Sequence, residues 1–185
     1  DFPEHLDPLL KRIFQARGIV DSAALDRQLS CLPQPAKMQG IAAAVARLSR
    51  ALAAQQRVLI VGDFDADGAT SSALMVLALG AMGYQHVDFL VPNRFDYGYG
   101  LTPEIVDLAQ QSAPNLIITV DNGISSVEGV AHANRLGIDV IVTDHHLPGA
   151  VLPAAVAIIN PNQPGCDFPS KSLAGVGVAF YLLSA

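Results

Sequence analysis

From Val58 to the end, this sequence carries only three cations, Arg94, Arg135 and Lys171, against twelve acids, a net charge of −9. The residues before Val58 reverse the balance with eight cations and five acids, and the whole 185-residue chain sums to −6. Bulk charge therefore cannot attract a polyanion to the later part. An acidic half of this kind fits metal binding. For a nucleic-acid substrate, much of the phosphate-binding charge would have to sit on the N-terminal segment or beyond Ala185. Long apolar runs are missing too. The longest, Ser72 to Met82, falls short of the roughly 18 residues that a membrane helix needs, and suits a core helix. No signal peptide is visible. Cysteine is scarce, and Cys31 and Cys166 show no pairing pattern, which points to reduced thiols in a cytosolic protein. Internal repeats and low-complexity tracts are absent. The chain opens Asp1-Phe2 without a methionine and ends in the apolar Tyr181-Leu182-Leu183-Ser184-Ala185 with no helix stop, so it is expected to be a fragment.

What is present divides at residue 57. Residues 1–57 read as a helical N-terminal segment. Leu6, Leu9, Leu10, Ile13 and Phe14 recur at helical spacing, Asp21-Ser22 can cap a short helix, and Pro33 and Pro35 break the chain. Residues 39–55 predict an Ala-rich helix with Ile41, Val45, Leu48 and Leu52 on one face. This segment is read as a packing appendage with a solvated basic face, the alternative being a substrate-binding arm. Residues 58–185 are regular. Apolar strands at Val58–Val61, Val87–Val91, Leu116–Val120, Val140–Thr143 and Val156–Ile159 alternate with helical stretches near 70–82, 102–112 and 125–136. Strands without polar alternation are buried on both faces, which predicts an α/β fold: a doubly wound, mainly parallel sheet with helices on both faces. Thr102-Pro103-Glu104 is a helix start, Ser125 or Ser126 can cap the next helix, and Gly137 closes it. Asn160 to Gly165 is a loop of turn formers, and a glycine-rich stretch from Ala174 leads into a close-packed helix.

The chemistry-bearing residues share one position in this pattern. Asp63, Asp65 and Asp67 follow the first strand, Asp121 follows Leu116–Val120, and Asp144, His145 and His146 follow Val140–Thr143. Open parallel sheets bind ligands outside the carboxyl ends of their strands. Packed carboxylates repel one another and are costly to bury unpaired, so a multivalent cation is the expected neutraliser. Carboxylates with one or two imidazoles suit Mn²⁺, with Mg²⁺, Fe²⁺ or Zn²⁺ as alternatives. Side chains leaving a strand in succession point different ways, so one histidine is expected to ligate metal while the other faces substrate. A dinucleotide site is excluded because Gly62-Asp63-Phe64-Asp65-Ala66-Asp67-Gly68 sets three negative charges where a pyrophosphate would approach. A P-loop fails for the same reason and lacks its lysine. The expected class is a metal-dependent phosphoester hydrolase. Arg94, one of three cations here, is an independent candidate for gripping phosphate, unless a salt bridge to Asp96 or Glu104 claims it. Phe95, Tyr97 and Tyr99 are candidates for stacking a base or for packing.

Gly62 to Gly68, Val120-Asp121-Asn122-Gly123 and Thr143-Asp144-His145-His146 resemble the first three motifs of the DHH phosphoesterase superfamily. Val91 to Phe95, Gly98-Tyr99-Gly100-Leu101 and Leu173 to Ala179 are similar to its RecJ-type single-strand exonuclease branch. The resemblance covers Val58 to Ala185, which it makes a DHH catalytic domain. It implies Asp63, Asp65, Asp67, Asp121 and His145 as ligands of two Mn²⁺ ions, Mg²⁺ being the alternative. It assigns His146 to the scissile phosphate as a catalytic and substrate-binding residue, Asp144 to supporting the histidines, and Asn93 with Arg94 to substrate phosphate. It further implies 5′→3′ hydrolysis of single-stranded DNA in repair or recombination by a cytoplasmic monomer, with a single-strand-binding protein or a helicase as partner. The alternatives are a relative acting on oligoribonucleotides, cyclic dinucleotides or pyrophosphate, or a non-catalytic binding module. The family's fourth motif and its second, DHHA1-type domain have no counterpart before Ala185, so the fragment is expected to be weakly active or inactive alone.

Overall fold

A computed structural model describes residues 2–26 and 28–185; Asp1 and Arg27, counted in the charge balance above, lie outside the described residues. The chain forms two compact units, Asp1–Pro33 and Gln34–Ala185. In the first, α1 (Pro8–Ala16) starts where the Asp7 carboxylate accepts from Leu9 N at 2.7 Å and Pro8 takes the first helical position. The Asp21 carboxylate in turn accepts from Ala23 N and Ala24 N, opening a 3₁₀ turn at Ala23–Leu25.

The second unit is a five-stranded, wholly parallel sheet in the order β2-β1-β3-β4-β5. In chain order it runs α2 (Ile41–Ala53), β1 (Val58–Gly62), α3 (Ala66–Ala81), β2 (Val87–Leu90) and α4 (Arg94–Tyr97). There follow α5 (Pro103–Gln110), β3 (Leu116–Val120), α6 (Val127–Arg135), β4 (Asp139–Thr143), β5 (Ala157–Ile159) and α7 (Gly175–Ser184). The central strands β1 and β3 are buried at every residue, as their unbroken apolar runs require. Alternate side chains then build two cores. Val58, Ile60, Leu116, Ile118 and Ile141 pack with α2, α3 and α7. Leu59, Val61, Ile117, Val140 and Val142 pack with α5 and α6 on the opposite face. The sheet is thus covered by helices on both sides.

Helix α2 lies in the first of these cores through Ile41, Ala44, Leu48 and Ala51. The second compact unit, which begins at Gln34, therefore includes α2. Arg47, expected on a solvated face, is only 4% exposed. Its Nε donates to Asp139 Oδ2 at 2.6 Å and its Nη2 to the Asn115 carbonyl, pinning α2 to the lower end of β3 and β4. The helix starts differ in detail from expectation. Thr102 caps α5 through Ile105 N, whereas the Ser126 hydroxyl leaves its own helix and accepts from Leu101 N at 2.9 Å.

The strand order reverses at β1. The chain leaves β1 for the edge at β2, then returns to place β3 on the other side. In a sheet of this order, the crevice above β1 and β3 is where ligands bind. Among the described residues, no helix is long and apolar enough to cross a membrane.

Candidate metal centre

The acidic loop after β1 folds into the first turn of α3 rather than standing before it. Asp65 is the N-cap of α3 and its Oδ1 accepts from Gly68 N at 2.9 Å. Asp67 therefore sits in the first helical turn, and α3 starts four residues earlier than the sequence pattern placed it. A Cβ on Gly68 would come within 2.4 Å of the Asp63 carbonyl oxygen, so only glycine lets the turn close this tightly.

Asp121 stands at the carboxyl end of β3 with φ +60°, a left-handed conformation that costs a non-glycine residue free energy. The surrounding bonds hold it there. Asp121 N donates to the Thr143 carbonyl, and the buried Asn122 amide donates to the carbonyls of Val61 and Val120. The result turns the Asp121 carboxylate, 2% exposed, across the β1–β3 crevice. Its Oδ1 accepts no hydrogen bond among the described residues, although His145 Nε2 lies 3.1 Å away. At that separation the two atoms form an ion pair when the imidazole is protonated, and can share a cation when it is not. That geometry fits a cation.

Beyond β4 the chain curls about Asp144. Asp144 Oδ1 accepts from the backbone N of His145 at 2.7 Å, the backbone N of His146 at 3.1 Å and His146 Nδ1 at 2.7 Å, while Oδ2 accepts from Ile124 N. Strand alternation has ended here, and the two histidines leave the chain side by side. Their rings lie 4.6 Å apart, and Asp121, His145 and His146 each offer a ligand atom within 4.8 Å of the others. Two asparagines fix the loop from behind: Asn160 Nδ2 donates to the His146 carbonyl and Asn162 Nδ2 to the His145 carbonyl. Their signal in the sequence is an Asn-X-Asn directly after β5, which the pattern reading treats as a turn.

The other acids surround this group. Asp67 Oδ2 is 3.7 Å from His145 Nε2, and both Asp67 oxygens accept from the first amides of α7, Gly175 N at 2.7 Å and Val176 N at 2.8 Å. Asp63 takes Phe64 N and, through both oxygens, Arg94 Nη2 at 3.1 and 2.9 Å. Arg94 thus pairs with neither Asp96 nor Glu104. Its guanidinium carbon lies 4.1 Å from the centroid of the Phe64 ring and 5.2 Å from that of Tyr99. Asn93 caps α4 through Phe95 N and donates to Asp96 Oδ2, so its amide is engaged locally. Tyr99, read as a stacking candidate, reaches the His146 ring with its hydroxyl at 3.3 Å. A cleft of about 820 Å³ opens over the site, with Asp63, Asp65, Arg94, Tyr99, Asp144 and His146 on its wall.

Electrostatics report the same crowding. Burial, then the charges of Asp67 and Asp65, with a further push from Asp144 and a partial offset from His146, raise the Asp121 carboxyl from 3.8 to about 7. A carboxylate so placed ionises readily only with positive charge beside it. For His146, burial opposes the imidazolium, but the hydrogen bond and charge of Asp144, with Asp121 and Asp63, outweigh it and lift the pKa. Tyr99 is pushed well above the ordinary phenol range by burial and by the carboxylates of Asp144, Asp63 and Asp121.

Known proteins share this arrangement of sequence and fold. The single-stranded-DNA-specific exonuclease RecJ of Escherichia coli (strain K12) is 56% identical over 185 residues, all of this chain and 32% of that protein. The RecJ of Bacillus subtilis (strain 168) is 42% identical over 185 residues, 98% of this chain and 23% of that protein. Among solved structures, exonuclease RecJ bound to manganese superposes with a TM-score of 0.72 at 37% identity, covering 82% of this chain and 37% of that one. RecJ of Thermus thermophilus in complex with Mn²⁺ gives 0.72 at 34% identity, over 92% of this chain and 23% of that one. The chain spans about a third or less of the length of these curated relatives. Residues 57–185, which carry both sides of the β1–β3 crevice and every acid of the site, match the model of the DHH family, N-terminal domain, and the chain belongs to the DHH family.

Proposed function

We propose that this chain is the metal-binding catalytic domain of a 5′→3′ exonuclease acting on single-stranded DNA in repair or recombination. The observation that carries the reading is the convergence of Asp121, His145 and His146 within 4.8 Å above the β1–β3 crevice, in a chain 56% identical to a RecJ exonuclease. Asp65, Asp67, Asp121 and His145 are the residues that would hold two Mn²⁺ ions, with Asp63 and His146 at the margin. Relatives solved with manganese support that choice of metal, and one solved with Mg²⁺ supports the alternative. Ions held there would supply a water of lowered pKa as nucleophile and positive charge to offset that of a phosphate.

The chain's own groups do the rest. His146, held by Asp144 through Nδ1 and raised in pKa, is positioned to donate a proton or a hydrogen bond to a phosphate oxygen. Arg94, with its side chain 41% exposed, can exchange its bond to Asp63 for a phosphate without leaving the Phe64 ring. Phe64, 57% exposed, lies against that arginine, and Phe95, the residue after Arg94, is 94% exposed; both offer stacking surfaces for unpaired bases. A cytoplasmic setting, a monomeric enzyme and hand-over from a helicase or a single-strand-binding protein belong to the same reading.

The test is Asp121→Ala in the full-length enzyme that contains this domain. Hydrolysis of a 5′-labelled single strand is expected to fall to background while circular dichroism stays that of the parent. Parental turnover in the variant sinks the reading. Faster turnover of dinucleotides than of long strands would instead assign the site to short substrates.

A further inference from the structure

We infer that the N-terminus of α7 is a built wall of the metal centre, with Gly175 as a positioning residue for both Asp67 and Asp121. This rests on the metal-centre reading above and deepens it.

Two independent observations meet at Gly175. The first is bonding. The amides of Gly175 and Val176 lie in the first turn of a ten-residue helix, where they have no intrahelical acceptor. Each donates to a different oxygen of Asp67, at 2.7 and 2.8 Å. Held by two donors at the positive end of the helix, the carboxylate is oriented, with one oxygen 3.7 Å from His145 Nε2. The second is space. A Cβ on Gly175 would meet Asp121 Oδ1 at 2.5 Å and its Cβ and Cγ at 2.8 Å. Asp121 cannot retreat, because its backbone is fixed at φ +60° between the Thr143 carbonyl and the Asn122 bonds. Even a methyl group therefore displaces the carboxylate, and with it the ligand atom that lies 3.1 Å from His145 Nε2.

The same helix contains its own control. A Cβ on Gly177 would also be crowded, at 2.6 Å, but against Leu173 Cδ1, the far end of a flexible side chain, with no acid of the site among its nearest neighbours. Gly175→Ala and Gly177→Ala thus add the same methyl to the same helix, and only the first touches the ligand set.

Mn²⁺ affinity of the full chain, read by electron paramagnetic resonance of free Mn²⁺ and by the Mn²⁺-induced rise in unfolding temperature, tests this. Gly175→Ala is expected to bind Mn²⁺ about 10–100-fold more weakly, the usual cost of disturbing groups that orient metal ligands. Its Mn²⁺-induced stabilisation is expected to shrink accordingly, whereas Gly177→Ala keeps both near the parent values. If Gly175→Ala does not fold, Val176→Pro removes one amide from Asp67 at a first-turn position where proline is tolerated, and the same weakening is expected. Parental Mn²⁺ affinity in whichever of these two variants is folded overturns the inference. Equal weakening in Gly177→Ala overturns it too, since the effect would then be one of helix packing. A parent chain that binds no Mn²⁺ removes the metal-centre reading beneath it.

Discussion

Asp144 is 1% exposed, and its carboxylate accepts from the two amides of its own loop and from His146 Nδ1, and from the Ile124 amide beyond β3. A carboxylate saturated in this way is a scaffold and an electrostatic source rather than a metal ligand. Burial lowers the His146 pKa, and the hydrogen bond and charge of Asp144, with the charges of Asp121 and Asp63, carry it above the ordinary histidine value. Asp144→Asn keeps the shape and removes the charge, so the pKa of His146 is expected to fall, followed by ¹⁵N titration of the imidazole in metal-free protein. An unmoved His146 titration would assign the shift to other neighbours. Residues of this kind were legible as a cluster, since every acid and histidine of interest follows a strand. Their division of labour was not. The sequence places Asp67, Asp121 and Asp144 alike at strand ends, and only the three-dimensional donors, α7 amides for one, loop amides for another and none for Asp121 Oδ1, separate their roles.

At the scale of elements, the strands were readable because burial on both faces demands unbroken apolar runs, and β1 and β3 show that demand at each residue. The start of α3 was misplaced because acids and a glycine look like a loop. Asp65, however, caps the helix from within that run. The short α4 carries no period to detect. Helix α2 was recognised as a helix, but a helical stripe does not say what covers it. The deciding contact, Arg47 with Asp139, joins residues 92 apart in sequence. It also predicts a cost. Arg47 is buried and its Nη1 already has no partner among the described residues. Asp139→Ala leaves a guanidinium buried beside Asn115 alone, and is expected to lower stability to urea by about 1–3 kcal/mol. Arg47→Met, which fills the same space without charge, is expected to cost less. A larger loss in Arg47→Met than in Asp139→Ala would show that the pair contributes more than it costs to bury.

For the whole molecule, the consequence of gathering acids on one rim is a stability that depends on both proton and metal. Asp121 has its pKa raised from 3.8 to about 7 in the folded chain. A raised folded pKa means that the group favours folding below its unfolded pKa and that this contribution is lost as pH climbs through the folded value. His146 acts in the same sense: its folded pKa is also raised, so its contribution is present below 6.5 and lost above the raised value. In chelator, the unfolding temperature attributable to these two groups is therefore expected to decline from about pH 4 to about pH 7 through Asp121, with the His146 share lost from 6.5 upward. Mn²⁺ takes the place of the lost protons, and it binds the deprotonated ligands, so its affinity rises over the same window. The Mn²⁺-induced increment in unfolding temperature, at fixed metal concentration, is expected to grow from about pH 6 to pH 8 and to disappear in Asp121→Ala. Scans with and without Mn²⁺ at each pH measure it. An increment that stays flat with pH would mean that the ion meets ligands already free of protons, and that the Asp121 carboxylate is less crowded by Asp65 and Asp67 than its position above the crevice requires.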